Sequence, residues 1–407
     1  MTAAPLPVPS LRAVTRAADP PTHLLDVLGP EGVAWVHDAV GFVTSGVVAR
    51  VDPALAAAWL ADIEHDDRVG RPGTGPLAVG ALPFDPQRPG ELIVPRRIVG
   101  CDADGRGWVT ELGPVGVVAP SVPAEPPNAF TVLEHMSRAE WRTAVLAALD
   151  AISRGELEKI VLARRVDVEA NRPFDVGTVL RSLLAEQPSC YVYAVDGIVG
   201  ASPELLVRRE GRRIESRPMA GTAVAVDDAA LHELRASAKD AREHRPVVDA
   251  IVEALEPMCD RLLVGAEPDI ARFASVAHLV TPVRGTLRDD APDAFAIARA
   301  LHPTPAVGGT PRAAALAAIQ RLEPCGRDRY AGPVGWVDAR GDGEWVVALR
   351  GAAIDGSRAA LHAGAGIVAG SDPDGEWRET EAKLEPMMRA LIPRQSGVER
   401  RVNAARR

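Results

Sequence analysis

The stretch Gly364-Ala-Gly-Ile-Val-Ala-Gly-Ser-Asp-Pro-Asp-Gly-Glu-Trp-Arg-Glu-Thr-Glu-Ala-Lys-Leu384 joins a glycine-rich run to a segment rich in carboxylates. Glycines leave backbone N–H groups unshielded, and acidic residues favour the first turn of a helix. Because Glu376, Glu379 and Lys383 are three and four residues apart, a helix projects all three from one face. The stretch therefore predicts hard-metal ligands beside an anion anchor. An ordinary acidic helix start, with Glu379 and Lys383 as a solvated ion pair, predicts the same pattern, and the stretch alone leaves both interpretations open.

The composition is typical of a globular protein. Of the 407 residues, 47% are hydrophobic and 25% are charged, which allows a sizeable core. This length permits two or three domains but also one continuous body. The net charge is −9 and no basic stripe is present. We therefore expect neither nucleic acid nor an anionic membrane as a partner.

Four isolated cysteines, Cys101, Cys190, Cys259 and Cys325, lack the close spacing of zinc or redox motifs, so scattered reduced thiols are expected. The first residues lack a charged segment followed by a long apolar core, and no apolar run approaches the roughly 18 residues that span a bilayer. These features predict a cytoplasmic protein that is neither exported nor embedded in a membrane.

Three regions are predicted along the chain. Residues 1–128 alternate short apolar runs with Pro and Gly, which predicts a strand-rich part. The Pro-dense segment 119–127 favours an extended connection and a soft boundary. Residues 129–392 follow as the main region, and the arginine-rich tail, residues 393–407, is expected to be disordered.

Within the main region, Ser137-Arg-Ala-Glu140 is a capping box that predicts a helix ending near Gly155. The next segment, 157–168, favours a strand with Lys159 near its start. Asp196-Gly197 then predicts a hairpin turn. Glu204 follows in an apolar setting that would raise its pKa if it were buried, as suits a general acid. A surface Lys159 and a solvent-facing Glu204 remain alternatives at this point.

Further along, residues 227–263 favour helix, and Pro246 is expected to start a new helix or kink the old one. The segment 272–283 predicts a strand that contains His278, which could equally be a satisfied core histidine. A breaker-rich loop at 301–309, a helix at 311–322 and a hairpin that presents Arg350 at a strand end complete the region.

Seven short motifs, taken in order, resemble the chorismate-utilising enzymes. They are Lys159-Ile-Val-Leu-Ala-Arg164, Ser202-Pro-Glu-Leu-Leu206, Pro218-Met-Ala-Gly-Thr222, Glu243-His244, Tyr330-Ala-Gly-Pro-Val-Gly335, Gly364-Ala-Gly366 and Glu376-Trp-Arg-Glu-Thr-Glu-Ala-Lys383. The resemblance runs from about residue 137 to 392. It implies an α+β fold in a single large body, with two stacked antiparallel β-sheets flanked by helices and the site in a cleft between them.

The resemblance also implies a ligand set. Glu243 and Glu379 would bind Mg²⁺, and Glu376 would act nearby, through water. The substrate would be chorismate, a dianion held by groups that suit carboxylates. These groups are Arg350, Tyr330, Lys383 and the backbone N–H groups of Gly364 to Gly366, while Thr222 and His278 would line the cavity.

Two residues would carry the chemistry in such an enzyme. Lys159 would be the general base that activates water for attack at C2 of chorismate. Glu204 would be the general acid that protonates the departing C4 hydroxyl. Both need tuned pKa values, since an ordinary lysine is protonated and an ordinary Glu ionised at neutral pH.

Within the family, the chain resembles isochorismate synthases. Ammonia-using members of the anthranilate type carry a glutamine where this chain has Lys159, so water is the expected nucleophile and no glutaminase subunit is expected. Salicylate synthases share the lysine and also eliminate pyruvate, which makes them the alternative. A catalytically silent chorismate-binding protein is a third interpretation, although binding alone needs neither Lys159 nor Glu204. We expect a monomer.

Overall fold

The computed structural model describes residues 11–29, 31–113, 125–224, 226–393 and 396–402. Within these residues the chain forms eight α-helices and 24 β-strands, with short 3₁₀ turns at Leu24–Val27, Pro53–Leu55 and Glu256–Met258. The helices are α1 (Ala56–Ala61), α2 (Arg138–Ser153), α3 (Val176–Glu186), α4 (Asp228–Ala236), α5 (Ala238–Leu255), α6 (Ala294–Leu301), α7 (Arg312–Leu322) and α8 (Pro373–Leu391).

The strands fall into an N-terminal set of seven and a larger set that follows. The first set is β1 (Arg12–Ala18), β2 (Ala34–His37), β3 (Val40–Val51), β4 (Glu64–Asp67), β5 (Leu77–Ala81), β6 (Leu92–Cys101) and β7 (Gly107–Leu112). The second set begins with β8 (Ala129–Glu134), β9 (Lys159–Ala170), β10 (Tyr191–Val195), β11 (Ile198–Ser202), β12 (Leu205–Glu210), β13 (Arg213–Ser216), β14 (Met219–Ala223), β15 (Cys259–Val264) and β16 (Asp269–Arg272). It continues with β17 (Ala277–Val280), β18 (Val283–Leu287), β19 (Gly309–Thr310), β20 (Pro333–Asp338), β21 (Gly343–Val347), β22 (Gly351–Asp355), β23 (Arg358–Ile367) and β24 (Gly397–Val402).

Most strands pair antiparallel, and within the described ranges hydrogen bonds join them into two separate sheets. In the described residues, 21 strands join in one large network, while β14, β17 and β16 form a small separate sheet. Pairing of β2 with β10 and of β5 with β20 ties the N-terminal set to the rest. The expected α+β fold, with large antiparallel sheets in a single body, is confirmed.

Strands β9 and β23 organise the main region. They pair antiparallel from Arg358 opposite Glu169 to Ile367 opposite Ile160. Even-numbered residues of β9 share one face: those near its start enter one hydrophobic cluster and those near its end enter a second. Helices α2 and α7 pack against β9, and α8 packs against β23. This arrangement brings Lys159, at the start of β9, into the same region as helix α8.

Short sequence motifs predicted several structural elements correctly. The Ser137–Glu140 capping box is present with both of its hydrogen bonds and begins α2. Asp196 and Gly197, with φ of 50° and 81°, form the turn between β10 and β11. All four cysteines are free. No helix in the described part of the chain is long and apolar enough to cross a membrane.

Several expectations differ from the structure. The helix predicted for 227–263 is wrong at its end, where Cys259–Val264 form β15, and within the predicted strand 272–283 the strand that holds His278 is only Ala277–Val280. Pro246 does not start a new helix but lies inside α5, a kink there stays a prediction, and the helical region is instead broken at Ser237, whose side chain caps α5. The predicted disorder of 393–407 is wrong for Gly397–Val402, which form β24 parallel to β8. The exposed side chains of β24 provided no alternating hydrophobic signal, and the strand forms because it satisfies the backbone groups along the edge of β8.

The Pro-dense segment 119–127 lies partly outside the described residues, which resume at residue 125. The boundary near residue 128 stays a prediction.

Candidate active site

One small cavity, of about 60 Å³, brings together most of the predicted site residues. Nine of them lie on its wall: Glu204, Thr222, Glu243, His278, Tyr330, Arg350, Gly364, Gly366 and Lys383. Lys159, Glu376 and Glu379 lie behind this wall. The first is next to Glu243 and the last is next to Thr222 and Lys383. Side chains from positions between 159 and 383 of the sequence therefore meet at one site.

Lys159 is the first residue of β9 and its side chain is fully buried. Its Nζ donates a hydrogen bond of 3.1 Å to the Glu243 carbonyl and lies 3.4 Å from the Glu243 carboxylate. Burial lowers the pKa of Lys159, although the Glu243 carboxylate works in the opposite direction. The alternative of a surface lysine is therefore wrong.

Glu204 lies between β11 and β12 and is buried. Its backbone is held on both sides, because its N–H donates to Ser202 Oγ at 3.2 Å and its carbonyl accepts from the Val347 N–H at 3.1 Å. Burial raises the pKa of Glu204 to about 7, against the smaller opposing influence of Lys159. Such a carboxyl group keeps its proton near neutrality, as a general acid must.

Arg350 and His278 lie next to each other on the cavity wall. Arg350, at a backbone φ of 49°, lies between β21 and β22 and donates from Nη2 to His278 Nε2 at 2.7 Å. His278 therefore accepts at Nε2 and can donate from Nδ1 to the Gly221 carbonyl at 3.1 Å. Burial, followed by Arg350, lowers the pKa of His278 well below its usual value, so this ring is neutral.

The Arg350 guanidinium lies beside the Cys190 thiol. Its Nη1 is buried and makes no hydrogen bond of ordinary geometry within the described residues. Tyr330 faces the same cavity, with its ring stacked on His362 at a centroid distance of 5.1 Å. An unpaired guanidinium N–H and a phenol at one wall suit a ligand carboxylate.

The three predicted metal ligands are buried, and each is paired with a lysine. Lys159 lies near the Glu243 carboxylate, Lys383 Nζ is 2.6 Å from Glu379 Oε1, and Lys239 Nζ is 2.6 Å from Glu376 Oε1. Glu379 Oε1 also accepts from Thr222 Oγ1 at 3.1 Å. Burial, followed by the Glu379 carboxylate, raises the pKa of Glu376 to about 7.

The fit of a metal ion can be judged from these contacts. Within the described residues, no three acidic, His or Cys side chains are already gathered as a metal-ligand cluster. However, the Lys239 ammonium is attracted most by Glu376 and also by Glu243 and Glu379, so the three carboxylates lie near one another. Oxygen donors around a shared cation have the chemistry that Mg²⁺ requires. The residues fit Mg²⁺, and its binding stays a prediction.

Gly364 and Gly366 lie inside strand β23 rather than in a loop. The Gly364 carbonyl accepts from Lys383 Nζ at 3.1 Å. A side chain at Gly366 would place its Cβ 2.0 Å from Glu243 Oε1, so this glycine lets the carboxylate approach the strand. Anion binding by the N–H groups of both glycines stays a prediction.

Sequence reasoning missed two residues of the site. His362 lies on the cavity wall, and its spacing of two from Gly364 on a strand could have placed it there. Lys239 is four residues before Glu243 on one helix and so shares its face. A stronger signal is composition: of the 46 Lys and Arg residues only three are lysine, and all three pair with the buried carboxylates.

Comparisons with known proteins identify the family to which this chain belongs. A family model described as chorismate binding enzyme matches residues 117–392. A protein of Mycobacterium tuberculosis (strain CDC 1551 / Oshkosh), provisionally named isochorismate synthase MenF, is 42% identical over 377 residues, which cover 88% of this chain and 98% of that protein. The chain belongs to the chorismate-binding enzyme family.

Two further family members extend the likeness over nearly the whole chain. Isochorismate synthase EntC of Escherichia coli (strain K12) is 35% identical over 402 residues, covering 92% of this chain and 98% of that protein. The crystal structure of DhbC from Bacillus anthracis, provisionally named a 2,3-dihydroxybenzoate-specific isochorismate synthase, has a TM-score of 0.77 and 33% identity, covering 90% of this chain and 98% of that one. The resemblance to chorismate-utilising enzymes and the predicted fold are thereby confirmed.

Proposed function

We propose that this family member is an isochorismate synthase, which isomerises chorismate to isochorismate with Mg²⁺ as its cofactor. The observation that carries the proposal is a pair of buried groups, Glu204 on the cavity wall and Lys159 behind that wall beside Glu243. Burial lowers the pKa of Lys159 and raises that of Glu204 to about 7. The names of the similar proteins support the same activity.

The two shifts favour the protonation states that the reaction needs. Near neutral pH, burial favours a neutral amine at Lys159 and a protonated carboxyl at Glu204. Lys159 then takes a proton from the water that attacks C2, and Glu204 gives a proton to the hydroxyl that leaves C4. One water enters and one water leaves, so the overall change is an isomerisation.

The remaining groups hold the substrate. Arg350, whose Nη1 has no ordinary hydrogen bond in the described residues, and Tyr330 would bind one carboxylate of chorismate. Lys383, which lines the same cavity, would contribute positive charge. Mg²⁺, when bound by Glu243 and Glu379 with Glu376 nearby, would supply a Lewis acid for the ring carboxylate.

Water is the proposed nucleophile because Lys159 occupies the position where ammonia-using members of the anthranilate type carry glutamine. The proposal therefore includes no glutaminase subunit. A monomeric, cytoplasmic enzyme remains our prediction.

The test is an incubation of the purified protein with chorismate and Mg²⁺, with the products separated by chromatography beside a pyruvate-coupled assay. We expect isochorismate to accumulate reversibly with little pyruvate, and chorismate to form when isochorismate is supplied. The control is the Lys159→Ala variant under the same conditions. Salicylate and pyruvate in equal amounts, at the rate of chorismate loss, would show a salicylate synthase instead. Chorismate that binds but persists unchanged would show a silent binding protein.

The reaction should stop at isochorismate because of cavity shape. Pyruvate elimination requires isochorismate to remain bound in a second, compact geometry. The residues that could decide this are Met219, Ala220 and Thr222 on β14, with Ala306 and Val307 from the loop at 301–309, all of which line the cavity.

A further inference from the structure

Lys239 differs from the other two lysines of the site in how it is held. Lys159 and Lys383 each contact a backbone carbonyl as well as a carboxylate, those of Glu243 and Gly364 respectively. Lys239 donates its hydrogen bond to the Glu376 carboxylate, and no backbone partner is recorded for it in the described residues. Its side chain is 32% exposed, against 0% for Lys159 and 21% for Lys383. Lys239 can therefore leave its partner toward solvent without breaking a backbone contact.

Lys239 lies near all three carboxylates. It is the second residue of α5 and lies one turn before Glu243, while Glu376 and Glu379 approach from α8. Its Nζ lies 2.6 Å from Glu376 Oε1, and the Glu243 and Glu379 carboxylates attract it more weakly. The ammonium therefore lies where the three carboxylates need a positive charge.

The choice of lysine here is informative because this chain otherwise uses arginine. Only three of its 46 Lys and Arg residues are lysine. An arginine fork binds a carboxylate in a bidentate manner and is hard to displace, whereas a lysine ammonium is a compact charge on a flexible stem. A cation that must release its carboxylate is therefore better supplied by lysine.

We propose that Lys239 is a displaceable counter-ion of the predicted Mg²⁺ site. In the metal-free protein its ammonium neutralises Glu376 and reduces the repulsion between Glu376 and Glu379. Mg²⁺ bound by the neighbouring carboxylates would place a second positive charge beside the ammonium, and the repulsion between the two cations would displace the ammonium toward solvent. The inference rests on the proposed function for the presence of Mg²⁺. Lys239 would then keep the carboxylates ordered in the metal-free protein and would weaken the binding of Mg²⁺.

The test measures binding of Mg²⁺ alone to metal-free protein by titration calorimetry. Lys239→Met removes the competing cation, so we expect Mg²⁺ to bind about tenfold more tightly, as when a competitor that occupies most of the sites is removed. Lys239→Arg should bind Mg²⁺ more weakly than the wild type, since a fork holds Glu376 more firmly. The matched control is Arg245→Met on the same helix, because Arg245 pairs with the exposed Asp249, and its affinity should match the wild type.

Thermal unfolding gives a second readout. Metal-free Lys239→Met should melt at a lower temperature than the wild type, because Glu376 loses its partner, and added Mg²⁺ should raise its melting temperature more. Affinity in Lys239→Met that is equal to or weaker than that of the wild type would overturn the inference. If that variant fails to fold, an unchanged or tighter affinity in Lys239→Arg would overturn it.

Chorismate turnover, measured in parallel, separates this inference from the proposed function. The expected affinity changes without isochorismate formation would support the role of Lys239 and overturn the proposed function. Isochorismate formation with unchanged affinities would overturn the role of Lys239 alone. Isochorismate formation with no Mg²⁺ binding in the wild type would overturn both the role of Lys239 and the proposed cofactor, but not the proposed reaction.

Discussion

Lys159 and Glu204 show how burial by itself can prepare a base and an acid. A low-dielectric environment disfavours the charged form of either group, so the pKa of a lysine falls and that of a carboxylic acid rises. Both side chains are buried, and burial is the largest influence on each. Burial, which would be costly in an ordinary core, thus favours a neutral amine at Lys159 and a protonated carboxyl at Glu204.

We expect Lys159→Ala and Glu204→Gln to lower kcat by about 10²–10⁴-fold, the usual cost of removing a positioned base or acid. Both variants should still bind chorismate, because neither residue is assigned to hold its carboxylates. Steady-state kinetics with a separate binding titration checks this. A variant with nearly normal kcat, or one changed in KM alone, would contradict the assigned role.

Glu204 should also make stability depend on pH. Its pKa rises from 4.5 to about 7 on folding, so the folded state holds this proton more tightly. The stabilisation is complete below the unfolded pKa and is lost as the pH rises through about 7, by at most ~3 kcal/mol. Glu204→Gln cannot ionise, so its melting temperature relative to the wild type should be higher at pH 8 than at pH 4.5. Scanning calorimetry at both pH values tests this, and a difference independent of pH would contradict it.

Glu379→Gln should abolish Mg²⁺-dependent turnover while leaving the fold nearly intact, since the change removes a charge and an oxygen donor but no packing volume. Activity after exhaustive chelation and after addition of Mg²⁺ provides the measurement, with melting temperature as the control for folding. Full turnover in the chelated wild type, or an unchanged rate in the variant, would remove the metal from the mechanism.

At the level of elements, the site depends on how closely helices approach strand β23. Helix α5 brings the Glu243 carboxylate against Gly366, and helix α8 is docked by Arg164, whose guanidinium lies 4.0 Å above the Trp377 ring and donates to Thr380 at 2.8 Å. These contacts place the carboxylates of two helices over one strand.

Gly366→Ala should therefore damage the site more than the fold. The new Cβ would lie 2.0 Å from Glu243 Oε1, so the carboxylate must move, and a displacement of about 1 Å can cost about 10²-fold in rate. Gly326→Ala is the matched control, because a Cβ there meets no atom within 4 Å and its backbone is not left-handed. Turnover and melting temperature of both variants provide the comparison, and similar activities would contradict the expectation.

At the level of the whole molecule, the N-terminal strands are part of the catalytic body. One hydrophobic cluster combines Trp35, Phe42 and Leu77 with Leu205 and Trp336 from the main region. Strand β5 pairs with β20, which in turn pairs with β21 near the cavity. The predicted boundary near residue 128 therefore divides the sequence but not this core.

We expect the full chain to unfold in a single calorimetric transition, and residues 129–407 alone to lack a cooperative one. Removing the first 128 residues would strip β10 and β20 of paired strands and expose the shared cluster. Near-ultraviolet circular dichroism of the two proteins provides a second measurement. Two separate transitions in the full chain, or a folded truncated protein, would show independent domains.

The sequence by itself determined the features that depend on neighbouring residues. The Ser137 cap, the Asp196-Gly197 turn and the shared face of Glu376, Glu379 and Lys383 need only contacts a few residues apart. The order of the short motifs was also enough to predict the family, the fold and the candidate residues of the site.

Only the tertiary structure decided which charges meet and how deeply they are buried. The pairing of Lys159 with Glu243, and of Lys239 with Glu376, joins residues 84 and 137 positions apart. Such contacts follow from strand register and helix docking, which no local pattern encodes. The pKa shifts of Lys159 and Glu204 depend on burial for the same reason, because desolvation is a property of the surrounding fold and not of the residue.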